Sequence, residues 1–234
     1  MVKLENCYIQ VFSDGNRRVY SSKNGALVSD PVYSQPDKTL VVLNAAASVF
    51  LTHGFSAATT DMIQREAGVS KKTLYACFPS KEAMFMAVIE RQCATMAATI
   101  KSIEPAPDNI EKTLTDIGRA YLDIALSDIG VALFRVVIAE TPRFPQAGRY
   151  FYLAGLKVAI AMVADRLSEA SRAGSIDIHD LGAEAAASLF ISMVRTEGQV
   201  EGLLHPEFRP SAEQLDRWVR IAVDTFLARF AIAA

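Results

Sequence analysis

The chain changes its pattern at Pro36. From there onward, apolar residues recur at the spacing of one helix face, about every 3.6 residues, and strand-like alternation is absent. Such a chain must bury its apolar stripes helix against helix, so the pattern predicts an all-α fold. Breakers divide the run. Leu43, Ala47, Phe50 and Leu51 mark a first helix that ends at His53-Gly54, with Gly54 where a helix C-terminal stop belongs. Thr59 or Thr60 caps a short second helix reaching Ala67, Gly68 turns the chain, and Ser70 caps a third helix that stops before Pro79. Ser80-Lys81-Glu82 opens a longer helix to about residue 103. Beyond Pro105 and Pro107, helical stretches at about 108–127, 129–141, 145–173, 180–203 and 211–231 are separated by breakers such as Gly130, Pro142, Pro145, Gly174, Pro206 and Pro210.

Residues 1–36 have another character. Tyr8-Ile9-Gln10-Val11-Phe12 and Arg18-Val19-Tyr20 flank a turn signal at Ser13-Asp14-Gly15-Asn16, which suits a short hairpin. A lone hairpin is marginal in water, so a mobile extension is expected.

Composition narrows the function classes. With 51% hydrophobic and 21% charged residues among 234, the chain is globular and long enough for a small and a larger domain. A formal net charge of −2 means that any contact with nucleic acid must come from a local basic patch. The three cysteines, Cys7, Cys77 and Cys93, form no Cys-x-x-Cys pair, so shielded free thiols are expected, with a Cys77–Cys93 sensor pair as the alternative. Met1 to Gln10 lacks the apolar segment of a signal peptide. Asn44, Arg135, Lys157 and Asp165 interrupt the apolar runs, short of the roughly 20 clean residues of a membrane span. A cytoplasmic protein with no membrane partner is expected. So are no metal and no cofactor: His53, His179 and His205 lie outside spacings such as His-Glu-x-x-His, and no Gly-rich phosphate loop or Gly-x-Ser-x-Gly elbow occurs.

The segment Gly54 to Glu82 carries the function. Two short helices flank a glycine turn, and Ile63, Ala67, Val69 and Leu74 are spaced to pack them on the first helix. That leaves Lys71, Lys72 and Thr73 on the outer face of the third. A helix-turn-helix presents such residues to base edges in the major groove, where lysine donates to guanine acceptors and threonine reaches bases or phosphates. The plainer alternative is a solvated helix start with two lysines.

The whole segment resembles the TetR/AcrR family of transcriptional regulators. The resemblance rests on Asn44-Ala45-Ala46, Gly54-Phe55, Thr59-Thr60, Ala67-Gly68-Val69-Ser70, Thr73-Leu74-Tyr75, Phe78 and Ser80-Lys81-Glu82. It implies DNA contacts from Thr59, Thr60, Ser70, Lys71, Lys72, Thr73, Tyr75 and Lys81. In that scheme Lys71, Lys72 and Thr73 read bases, Tyr75 lies against the DNA backbone, and Lys81 and Thr60 hold phosphates. Tyr75 packed against the fourth helix and Lys81 solvated are the structural alternatives. Gln64 departs from the family's usual alanine, and the extension is longer than usual.

Three parts follow: residues 1–36 as an extension, 37–82 as a TetR-type helix-turn-helix domain, and 83–234 as a helical regulatory and dimerisation domain. Glu140-Thr141-Pro142-Arg143-Phe144-Pro145 resembles a loop of an AcrR-like subgroup, or is a simple Pro-bounded connection. Leu215, Trp218, Val219, Ala222, Val223, Phe226, Leu227 and Phe230, with Ala183, Ala186, Ala187, Leu189, Phe190 and Met193, give two apolar C-terminal helices. Core packing explains part of these stripes, and they also suit a homodimer, which two recognition helices about 34 Å apart require. Met96, Ile100, Leu122, Leu126, Phe134, Ile138 and Phe151 line either plain core or a pocket for a small hydrophobic ligand. The function expected is a sequence-specific, ligand-responsive repressor acting as a homodimer on an operator in double-stranded DNA. The alternatives are a helix-turn-helix interaction module without DNA binding and a helical enzyme.

Overall fold

A computed structural model describes residues 8–10, 19–21, 27–28, 37–104, 106, 109–205 and 207–232. The chain divides into two compact units, residues 1–41 and 42–234. In the first, β1 (Tyr8–Gln10), β2 (Val19–Ser21) and β3 (Leu27–Val28) form an antiparallel sheet in that order. Tyr8 pairs with Ser21 and Gln10 with Val19, the pairing of the short hairpin that the sequence suits, while its turn lies outside the described residues. Expected mobility of the extension falls mostly outside them too.

Ten α-helices are described from Lys38 onward. α1 (Lys38–Ala57) is broken at Gly54, whose φ of 75° and ψ of 164° lie outside helical geometry. α2 (Thr60–Ala67) is capped by Thr59, whose side chain accepts from the Met62 N–H, and it ends on Gly68 at φ 62°. Ser70 caps α3 (Lys71–Cys77) through the Thr73 N–H, and Ser80 caps α4 (Lys81–Lys101) through Ala83. Each cap satisfies an N–H that the helix cannot pair internally, which is why these boundaries are readable in sequence.

The remainder comprises α5 (Ile110–Ala125), α6 (Asp128–Glu140), α7 (Pro145–Phe151), α8 (Val158–Arg172), α9 (Ala183–Leu204) and α10 (Ala212–Phe230). Between α7 and α8, residues Tyr152–Lys157 form a π-helical turn, where the apolar pattern had suggested one uninterrupted helix.

Two apolar cores hold these elements. The first gathers α5, α8, α9 and α10 around Leu114, Val163, Phe190, Val219 and Phe226. The second joins α1–α4 to α6 and α7: Phe50, Ile63, Leu74 and Phe85 are fully buried together with Leu133, Val137 and Ala147. Packing therefore draws no line at residue 82, because Met84, Phe85, Val88 and Ile89 of α4 complete the core that α1–α3 begin. Most of the apolar stripe of α10 is intrachain core: Leu215, Val219, Ala222, Val223, Phe226 and Phe230 are buried, as are Ala186, Ala187 and Phe190 of α9. Core packing thus takes up most of the stripe, which α5 and α9 cover.

α1 and the run Pro145–Arg172 are long and apolar enough on average to cross a membrane, which Asn44, Lys157 and Asp165 do not prevent. In the fold, Val42, Ala46 and Phe50 of the one and Val163 and Leu167 of the other belong to the cores.

Gly130 in the first turn of α6 allows a tight α5–α6 corner: a Cβ there would lie 2.1 Å from the Ile124 carbonyl oxygen. Backbone cannot yield as a flexible side chain does, so Gly130→Ala should destabilise the fold by about 1–3 kcal/mol, the usual range for overpacking. Thermal melting checks this, and an unchanged melting temperature would contradict the corner geometry.

Candidate DNA-contacting surface and effector cavity

The surface formed by α2 and α3 is tied together by polar side chains. Lys71 Nζ donates to Asp61 Oδ1 at 3.1 Å, Tyr75 Oη donates to Thr60 Oγ1 at 3.3 Å, and Ser70 Oγ and Thr73 Oγ1 lie 2.9 Å apart. The Asp61 carboxylate holds the Lys71 ammonium above the ordinary lysine range. Lys71, Lys72 and Tyr75 are exposed, Thr60 and Thr73 half-buried, and Thr59 and Ser70 point outward as caps. Ile63 and Leu74 are fully buried beneath them, with Ala67 and Val69 half-buried at the edge. The structure thus brings Thr59, Thr60, Ser70, Lys71, Lys72, Thr73 and Tyr75 to one face. Tyr75, exposed, turns its hydroxyl to α2.

Lys81 behaves otherwise than expected. Its Nζ donates to the carbonyl oxygens of Phe55 at 2.9 Å and Ala58 at 3.0 Å, and it sits 4.4 Å from the centroid of the Phe55 ring. It is half-buried and acts as a C-terminal cap for the broken end of α1, because those carbonyls have lost their helical donors. A free phosphate clamp would need that ammonium in solvent. At most one of its three N–H groups remains for DNA.

The same turn is gripped from the body. Glu140, 8% exposed at the end of α6, accepts from the Ser56 N–H at 3.1 Å and from Ser56 Oγ at 2.8 Å. Arg143 Nη1 donates to Ser56 Oγ at 3.3 Å, and the Phe144 ring stacks on Phe55 at 6.0 Å. Phe55 also meets Phe50 at 5.6 Å and Phe85 at 4.8 Å. The Glu140–Phe144 stretch is therefore more than a Pro-bounded connection.

α6 also lines a cavity of about 370 Å³ in the body. Of the expected lining, Met96, Phe134, Ile138 and Phe151 face it, with Phe134 and Phe151 stacked at 5.6 Å. Ile100, Leu122 and Leu126 do not: they are buried in the first core, where helical spacing alone could not separate them from wall positions. Sequence reasoning missed Tyr121, Arg195 and Gln199, polar groups that the fold turns inward, and the π turn, which contributes Tyr152, Gly155 and Leu156 to the wall. Cys93 also faces the cavity, and burial pushes its thiol up to about 11, so it stays protonated. Cys77 is a half-buried free thiol, and Cys7 lies outside the described residues.

A glycine-turned pair of short helices with a basic, hydroxyl-rich outer face, carried on a helical body with an internal cavity, defines a DNA-binding regulator of the helix-turn-helix type. The description "Bacterial regulatory proteins, tetR family" matches residues 42–88, and "AefR-like transcriptional repressor, C-terminal domain" matches residues 112–232. This chain belongs to the TetR family of transcriptional regulators. The solved structure of the flavonoid-responsive regulator FrrA is 32% identical, with a TM-score of 0.70 over 86% of this chain and 100% of that one. SmeT, the repressor of the Stenotrophomonas maltophilia multidrug efflux pump SmeDEF, shares the fold at 18% identity, with a TM-score of 0.63 over 84% of this chain and 91% of its own. The HTH-type transcriptional regulator UidR of Escherichia coli (strain K12) is 29% identical over 147 residues, 61% of this chain and 70% of the relative.

Lys81→Met should lower the melting temperature, because two carbonyls lose their charged donor at a cost of about 1–3 kcal/mol. Lys72→Ala, at an exposed position, should stay within about 0.5 kcal/mol of the parent. Equal melts for the two variants would return Lys81 to the role of a surface cation.

Proposed function

We propose that this protein is a ligand-responsive repressor that acts in the cytoplasm, binding an inverted-repeat operator in double-stranded DNA as a homodimer. The observation that carries the reading is the double role of α6. Phe134, Val137 and Ile138 on this helix line the cavity, while Glu140 at its end holds Ser56 beside the helix-turn-helix. A ligand that favours a shifted α6 would move that anchor and so change the spacing of two recognition helices. Supporting evidence for repression is the match to the AefR-like repressor domain, and for a small-molecule effector the name of the flavonoid-responsive relative.

Within this reading, residues 37–82 read DNA, 83–234 regulate and dimerise, and 1–36 are an appended segment. Lys72 and Thr73 reach base edges. Lys71 exchanges Asp61 for DNA, and Thr59, Thr60, Ser70 and Tyr75 position the phosphate backbone. The dimer surface is the outer face of α9, where Leu189, Val200 and Leu204 are exposed, together with Ile221 of α10. Those apolar residues lie on the solvent side of helices whose inner sides are already packed, which suits a two-fold four-helix contact.

Selection of bound DNA from random fragments, with footprinting, tests the reading; a two-fold footprint is expected, and no sequence preference would overturn it. Lys72→Ala should relax discrimination at one symmetric operator position by about 1–3 kcal/mol while leaving non-specific affinity nearly unchanged. The double variant Leu189→Glu, Val200→Glu should sediment as a folded monomer with weakened operator binding. A persistent dimer would move the interface elsewhere.

A further inference from the structure

The cavity has an apolar wall and a single formal charge. Arg195, reaching in from α9, is the only ionised side chain among the described residues that line it, and no carboxylate does so. Among the described residues Arg195 makes no ion pair. Its guanidinium lies beside the phenol of Tyr121, a residue 4% exposed. Burial raises the Tyr121 pKa more than the arginine charge lowers it, so the phenol keeps its proton and has it to give. Gln92 and Gln199 add neutral polar groups to the same wall.

A guanidinium facing an apolar chamber has lost part of its hydration and gained only a phenol oxygen in return. Its planar fork matches a carboxylate, which accepts two parallel N–H bonds and neutralises the charge. A neutral ligand would leave that cost uncompensated. The stacked Phe134 and Phe151 rings, with Met96 and Ile138, supply the surface for a hydrophobic body.

We infer that the effector is an organic acid, with an apolar body against the Phe134–Phe151 wall and one carboxylate held by Arg195 and the Tyr121 hydroxyl. The inference rests on the reading of this cavity as the effector site. It narrows that reading from any small hydrophobic molecule to a monoanionic one.

Two matched pairs of probes test it on the full chain by titration calorimetry: naphthalene carboxylate with naphthalene carboxamide, and decanoate with decanol. Each pair shares a body and differs in charge. The acid should bind about tenfold or more tightly than its neutral partner, the usual gain from a charge-assisted hydrogen bond. Arg195→Met should level the pair while the neutral probe keeps its affinity. Should that variant fail to fold, Tyr121→Phe removes the second donor with little change of shape and should weaken the acid alone. Equal binding of acid and neutral probe by the parent protein would overturn the inference and leave the cavity reading standing. Binding of none of the four probes would overturn both.

Discussion

Gly54 sits at a φ of 75°, and the residues after it are held by groups from three separate parts of the chain. With ψ at 164° the backbone is in a region nearly reserved for glycine; it ends the first helix, and an L-residue there would cost about 1–3 kcal/mol. From then on Phe55 is fixed by its ring among Phe50, Phe85 and Phe144, and its carbonyl oxygen by Lys81. Ser56 is fixed by the Glu140 carboxylate, and the Ala58 carbonyl again by Lys81. Thr59 then caps α2. The orientation of the DNA-reading helices is thus set by a turn whose partners come from α4, α6 and the α6–α7 connection.

That arrangement makes α4 and α6 the elements that join the cavity to the helices α1–α3. α4 begins under α3 and carries Cys93 and Met96 to the cavity; α6 carries Phe134, Val137 and Ile138 there and ends at Glu140. Both also contribute to the core that contains Phe50 and Leu74. A close-packed core of this kind resists continuous deformation and passes a displacement along as a shift between discrete packings. The coupling proposed above, through two packed helices and one buried hydrogen-bonded carboxylate, needs no mobile domain boundary at residue 82.

Local chemistry was legible in the sequence and long-range chemistry was not. Thr59, Gly68, Ser70 and Ser80 announce the ends of α2, α3 and α4 because each satisfies a group within three or four residues of itself. The contact of Glu140 with Ser56 spans 84 positions, and that of Lys81 with Phe55 spans 26, so nothing near either residue marks it. Helical periodicity showed that α10 has an apolar face; it could not tell that α5 and α9 cover that face instead of a second subunit. For the same reason four of the seven proposed cavity residues reach the wall and three lie in the core, and Arg195 went unnoticed among ordinary helix charges.

The π turn at Tyr152–Lys157 has a geometric consequence for the whole body. A π turn takes up one residue more than an α-turn and so rotates everything after it by about 100° relative to an unbroken helix. Ala147 and Phe151 before it, and Ala154 within it, belong to the core shared with α1–α4; after it, Ala159, Ile160, Val163 and Leu167 belong to the core built with α9. The single surplus residue works as a phase shifter: it lets one rod of helix be a wall of two differently oriented chambers, and it places the seam between them at the lining of the cavity.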